Sequence, residues 1–146
     1  MAKPWADTPF SLLLIPGTPG APTVSILNVC IEMANVHNIL LRSLNSIYLQ
    51  CPHISTTNNS TDDVADLMTY ITAWTDAVHH HHSLEETLFF PCVEELAKEV
   101  GLESGLMGRN VEQHHLFEDG VREMGVYARD VLEGRKGFDS GVLRGW

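Results

Sequence analysis

His81 and Glu85 lie four residues apart in the run Val78-His79-His80-His81-His82-Ser83-Leu84-Glu85-Glu86. On a helix that spacing stacks both side chains on one face. An imidazole above a carboxylate is a pair of metal ligands suited to iron, manganese or zinc. Two other segments carry the same chemistry: His114 with Glu118, again four apart, and His37. There is no Gly-rich phosphate loop and no Gly-x-Ser-x-Gly nucleophile motif, so catalytic residues stay unassigned.

Helices must position these groups, and the apolar pattern indicates how. In alternating steps of three and four, Val64, Leu67, Ile71, Trp74, Val78, His81, Glu85, Leu88 and Cys92 share one seam. Only the two candidate ligands are neither apolar nor thiol. A first helix has the seam Ile26, Cys30, Met33, His37, Leu40, Leu44 and Ile47; a third has Met107, Val111, His114, Glu118, Val121, Gly125, Ala128 and Leu132. Such seams are the core stripes of bundle helices. A buried carboxylate is costly unless paired, hydrogen-bonded or metal-bound. Taken singly, His37 reads as a hydrogen-bonded core histidine, the His run as a solvated patch, and Glu118 as a surface residue. Taken together, His37, His81, Glu85, His114 and Glu118 point to one metal site with nitrogen and oxygen donors.

Prolines and glycines delimit these elements. Residues 1–22 contain five of the seven prolines, Pro4, Pro9, Pro16, Pro19 and Pro22, and form an extended arm. Thr23 then caps a helix running to about Gln50, with Pro52 beyond its end. Ser60 or Thr61 starts the second helix, whose Asp62 and Asp63 favour the positive end of the dipole. Pro91 kinks or restarts it, and Gly101 ends it. The third helix covers roughly 104–133, and 134–146 is a Gly-rich tail. Without strand alternation anywhere, the expected class is all-α.

A length of 146 residues with 44% apolar and 19% charged content fits one soluble helical domain, here 23–133. The net charge of −10 argues against nucleic acid as a partner. The longest early apolar run, 10–15, is too short to span a membrane, and no secretion signal stands out. Three cysteines without CxxC spacing read as buried, reduced thiols, and the expected location is cytoplasmic.

The segment His81-His82-Ser83-Leu84-Glu85-Glu86-Thr87-Leu88-Phe89-Phe90-Pro91 resembles the His-x-x-x-Glu-Glu and Leu-Phe-Pro signature of hemerythrin-like, or HHE cation-binding, domains. Glu112-Gln113-His114-His115-Leu116-Phe117-Glu118 is similar to that family's third-helix segment, and His37 matches its first-helix histidine. The resemblance covers roughly residues 24–132. It implies an antiparallel helical bundle around non-haem iron, with His37 and His81 on one iron, His114 and Glu118 on a second, and Glu85 bridging. It further implies binding of dioxygen or another small diatomic, or iron handling.

The chain departs from that pattern at its C-terminal end, where only residues 134–146 follow the third helix and contain no histidine. Three long helices with an absent or truncated fourth leave an apolar face, which the arm or a second copy in a homodimer would cover. Open metal positions also suit an iron-dependent oxidoreductase or auxiliary enzyme in small-molecule, secondary-metabolite biosynthesis, with iron or another divalent metal as cofactor. The third reading is a metal-free helical interaction protein.

Overall fold

The computed structural model describes residues 5–13, 15, 25–54 and 61–145. The capping side chains expected at Thr23 and at Ser60 or Thr61, arm residues 16–22 and loop residues 55–60 lie outside them. The described residues are all-α, with no strand among them. None of their helices is long and apolar enough to cross a membrane. The chain divides into two compact units, Met1–Ser60 and Thr61–Trp146.

The first unit is built on one long helix, α1 (Ser25–Gln50), closed by a 3₁₀ turn at Cys51–His53 that contains Pro52. The arm begins with another 3₁₀ turn, Trp5–Asp7. Two buried asparagines of α1 hold it. The amide of Asn45 accepts the Phe10 N–H at 2.7 Å and donates to the carbonyls of Ala6 and Phe10, each at 2.9 Å. Asn38 accepts the Leu13 N–H at 2.7 Å and donates back to the Leu13 carbonyl at 3.0 Å. Seven residues apart, the two amides lie on one helix face. Arg42 adds an ion pair to Asp7 at 2.9 Å.

This docking turns the buried face of α1 by one position from the expected seam. Ala34, Asn38 and Asn45, each one place beyond a seam residue, are buried, whereas Met33, His37, Leu40 and Leu44 are only half-buried and Cys30 is exposed; Ile47 stays buried on the expected seam. The arm's backbone needs donors and acceptors, and asparagine supplies both from one side chain.

The second unit contains α2 (Thr61–Leu84), a π-helical turn (Glu85–Phe89), α3 (Phe90–Glu99), α4 (Gly108–Leu132) and α5 (Ser140–Arg144). The first turn of α2 carries Asp62 and Asp63, as its dipole favours. The effect of Pro91 is more specific than a kink. Proline offers no N–H to the preceding turn, and its ring crowds the carbonyl four residues back. The chain widens there, and the Phe90 N–H bonds the Glu85 carbonyl, five residues back.

The wider turn corrects the expected seam. Its inner side passes from Leu88 and Cys92 to Phe90 and Ala97: Leu88 is 60% exposed and Phe90 only 5%. Cys92 is therefore an exposed thiol, as is Cys30; only Cys51 is buried. Leu88 accordingly does not shield the candidate ligands from water.

α4 runs antiparallel to α2, because His114 meets Glu86, Gly125 meets Thr75 and Arg129 meets Asp76. At Gly125 the helices approach so closely that a Cβ would lie 2.8 Å from Thr75 Oγ1. Gly101, at φ 78°, ends α3 in the left-handed conformation, with the Leu102 N–H reaching back to the Ala97 carbonyl at 2.9 Å. The tail expected at 134–146 contains α5, which Asp139 caps by accepting the Gly141 N–H at 2.8 Å. The Tyr127 hydroxyl accepts the Asp139 N–H at 2.7 Å, and burial raises its pKa. Asp139 thus has a structural role at the end of the chain.

Candidate metal centre

α2 supplies His81 and His82 in its last turn, and the π turn opens on Glu85. Glu85 is 4% exposed, the most deeply buried carboxylate among the described residues. Its Oε1 lies 3.4 Å from His81 Nε2, on the same helix face. Its Oε2 lies 3.3 Å from Nε2 of the buried His114, which comes from α4. Three of the five expected residues therefore meet in one place.

Glu86 is a member of this cluster that the seam pattern did not select. Its Oε1 lies 2.8 Å from His114 Nδ1. Because a carboxylate only accepts, that hydrogen bond places a proton on Nδ1. Adjacent glutamates thus address both nitrogens of one imidazole. His82 stacks on His114, with ring centroids 4.0 Å apart and planes 19° apart. Phe90 and Phe117 border the same rings, at 5.7 Å from His114 and 5.3 Å from His82. His82, Glu85 and His114 each offer a ligand atom, all within 4.8 Å of one another.

Glu118 lies on the open side of the cluster. It is exposed and lines a cavity of about 280 Å³ with His79, His82, Ser83, Glu86, Thr87 and His114. A period of four keeps Glu118 near His114 along α4, but the residue falls on the rim instead of beside Glu85. His37 belongs to the first unit, where its Nδ1–H donates to the Met33 carbonyl at 2.7 Å. That bond commits Nδ1 and makes Nε2 the nitrogen suited to a metal. His115, a candidate acid or base, is exposed.

The donor chemistry fits a metal ion. Neutral imidazole and carboxylate suit iron, manganese or zinc. A histidine that donates its second N–H to a carboxylate is the usual support of a metal-bound imidazole, and His114 with Glu86 has that arrangement.

No protein-family model and no solved structure matches the chain. Among curated proteins, it is similar to the dimeric xanthone biosynthesis cluster protein R11 of Cryptosporiopsis sp. (strain 8999), at 32% identity over 128 residues. The alignment takes in 86% of this chain but 46% of that protein, so the chain spans about half the length of its relative.

Proposed function

We propose that this chain is a hemerythrin-like metal-binding protein that holds non-haem iron at the cluster around Glu85 and serves the biosynthesis of a secondary metabolite. One observation carries the metal reading: a buried carboxylate has imidazole nitrogens from two antiparallel helices on its two oxygens. Bringing these groups together costs desolvation, which coordination to a cation would offset. The similarity to a xanthone biosynthesis cluster protein supports the biosynthetic setting.

Bound iron would supply open coordination positions for dioxygen or another small molecule. The protein's own residues have separable tasks. Glu85 contributes negative charge, His81 and His114 bring imidazole nitrogens to its two oxygens, and Glu86 fixes the ring of His114. The polar cavity beside His82 and His114 gives a small molecule a path to that cluster. His37 enters this reading through the family resemblance, as a further ligand.

The deciding measurement is metal content after purification under reducing, low-oxygen conditions. Wild type should retain near-stoichiometric iron, and Glu85→Ala and His81→Ala should each lose most of it. Trace iron that both substitutions leave unchanged would sink the proposal. His37→Ala asks separately whether that residue belongs to the ligand set. A biosynthetic setting suits an iron-dependent enzyme as well as a carrier; dioxygen consumption that depends on an added aromatic substrate would distinguish the two.

A further inference from the structure

We propose that the second unit holds a single divalent first-row cation through His82, Glu85 and His114, with Glu86 as the positioning residue that makes this possible. The proposal rests on the metal-binding reading above and specifies its ligands. Of the expected residues it keeps Glu85 and His114 on the cation, leaves His81 beside the other oxygen of Glu85, gives Glu118 no place on the cation, and adds His82, which the seam pattern sets aside.

Glu86 fixes the orientation of His114. Its Nδ1 proton is committed to Glu86 at 2.8 Å. In a neutral ring, Nε2 then carries a lone pair, and it lies 3.3 Å from Glu85 Oε2, which is also an acceptor. A divalent cation between these two acceptors would be held by both and would offset the cost of burying them. His82 supplies the third donor. His82 stacks face to face with His114 at 4.0 Å, so the same packing that holds one ring holds the other. Its ligand atom falls within 4.8 Å of those of both partners.

The π turn brings both glutamates to bear. By widening the helix at Glu85, it allows two successive glutamates to reach one imidazole of α4, Glu85 at Nε2 and Glu86 at Nδ1. Three protein ligands of mixed nitrogen and oxygen type leave positions open on the cation. The cavity lined by His82, Glu86 and His114 lies on that side of the cluster.

Cobalt(II) titration of the metal-free full chain tests this, read by visible absorption and by competition with a chelator. The expected result is one cobalt per chain with a ligand-field spectrum characteristic of mixed imidazole and carboxylate donors. His82→Ala should weaken binding more than tenfold. Glu86→Leu should weaken it by about 10- to 100-fold, the range for a carboxylate that supports a metal-bound histidine. Glu86→Gln, whose amide oxygen still accepts from Nδ1–H, should restore most of the affinity, and Glu118→Gln should leave it unchanged. Circular dichroism and thermal melting of each variant separate a lost ligand from a lost fold.

Cobalt binding that Glu85→Gln abolishes but His82→Ala and Glu86→Leu leave unaltered would overturn this ligand assignment and leave the metal reading intact. Absence of cobalt binding by wild type, with nitrogen NMR of His114 showing protons on both ring nitrogens, would overturn both readings. In that case an imidazolium between two carboxylates is the cation.

Discussion

The two units bury polar side chains in opposite ways. In the first, Asn45 and Asn38 are 0% and 3% exposed, and every hydrogen bond they make to the arm joins a donor to an acceptor. In the second, Glu85 is almost as deeply buried, but it faces imidazole nitrogens while a second carboxylate takes the proton on one of them. Neutral amides matched to backbone form a structural fastening. Carboxylates gathered around imidazoles form a place for a cation. Burial of polar atoms alone does not identify a functional site; the matching of donors to acceptors does.

The comparison breaks most visibly if the second unit gains nothing from metal. At a free metal concentration 100 times its Kd, a ligand that binds only the folded state stabilises it by about 2.7 kcal/mol. Thermal unfolding of wild type should therefore shift upward with added iron(II) or cobalt(II). Glu85→Leu should abolish that shift while leaving the metal-free protein as stable as wild type, or more so, since an apolar group of similar size replaces a desolvated charge. A Glu85→Leu protein that is severely destabilised without metal would mean that the cluster is as structural as the asparagine fastening.

The reverse result is expected in the first unit. Asn45→Ala removes three hydrogen bonds to the arm, a loss of about 2 kcal/mol after the released backbone groups regain water. Asn38→Ala removes two and should cost less. Hydrogen exchange at the Phe10 and Leu13 amides should accelerate in both variants, and metal should rescue neither. If exchange there stays as slow as in wild type, the arm is held by something other than these amides.

These differences also explain what could be read from the sequence. The helical class, α1 ending at Gln50 and the pairing of His81 with Glu85 follow from apolar period and proline placement, which act locally. His114 was legible for the same reason. Beyond Glu85 the period fails, because one π turn before Pro91 shifts every later position; Leu88 and Cys92 face outward as a result. The signal was present in the proline, but a widened turn and a simple kink share it. Asn38 and Asn45 were not legible, since their burial depends on an arm that contacts them from 25 to 39 positions away in the chain. Glu86 and His82 were missed because the seam admits one residue per turn, whereas the cluster uses neighbours.

A smaller effect sharpens the comparison with a third carboxylate. Glu94, on α3, accepts the Met107 N–H at 2.8 Å and the Gly105 N–H at 2.7 Å, tying the loop after α3 to the start of α4. Those backbone donors, Met107 foremost and then Gly105, hold its pKa below the ordinary carboxylate value. The sign follows from linkage: a carboxyl group whose pKa is lower when folded stabilises the fold above its unfolded value and loses that contribution as pH falls through the folded one. Wild type should therefore lose some stability on acidification below the ordinary carboxylate range, and Glu94→Gln should lose less over the same interval. Because Glu94 is only half-buried, the difference should be the smallest of the three. It should also be indifferent to metal, since here the chain itself supplies every donor named. A Glu94→Gln acid limb that changes when cobalt is added would show that the loop before α4 is coupled to the cluster at His114.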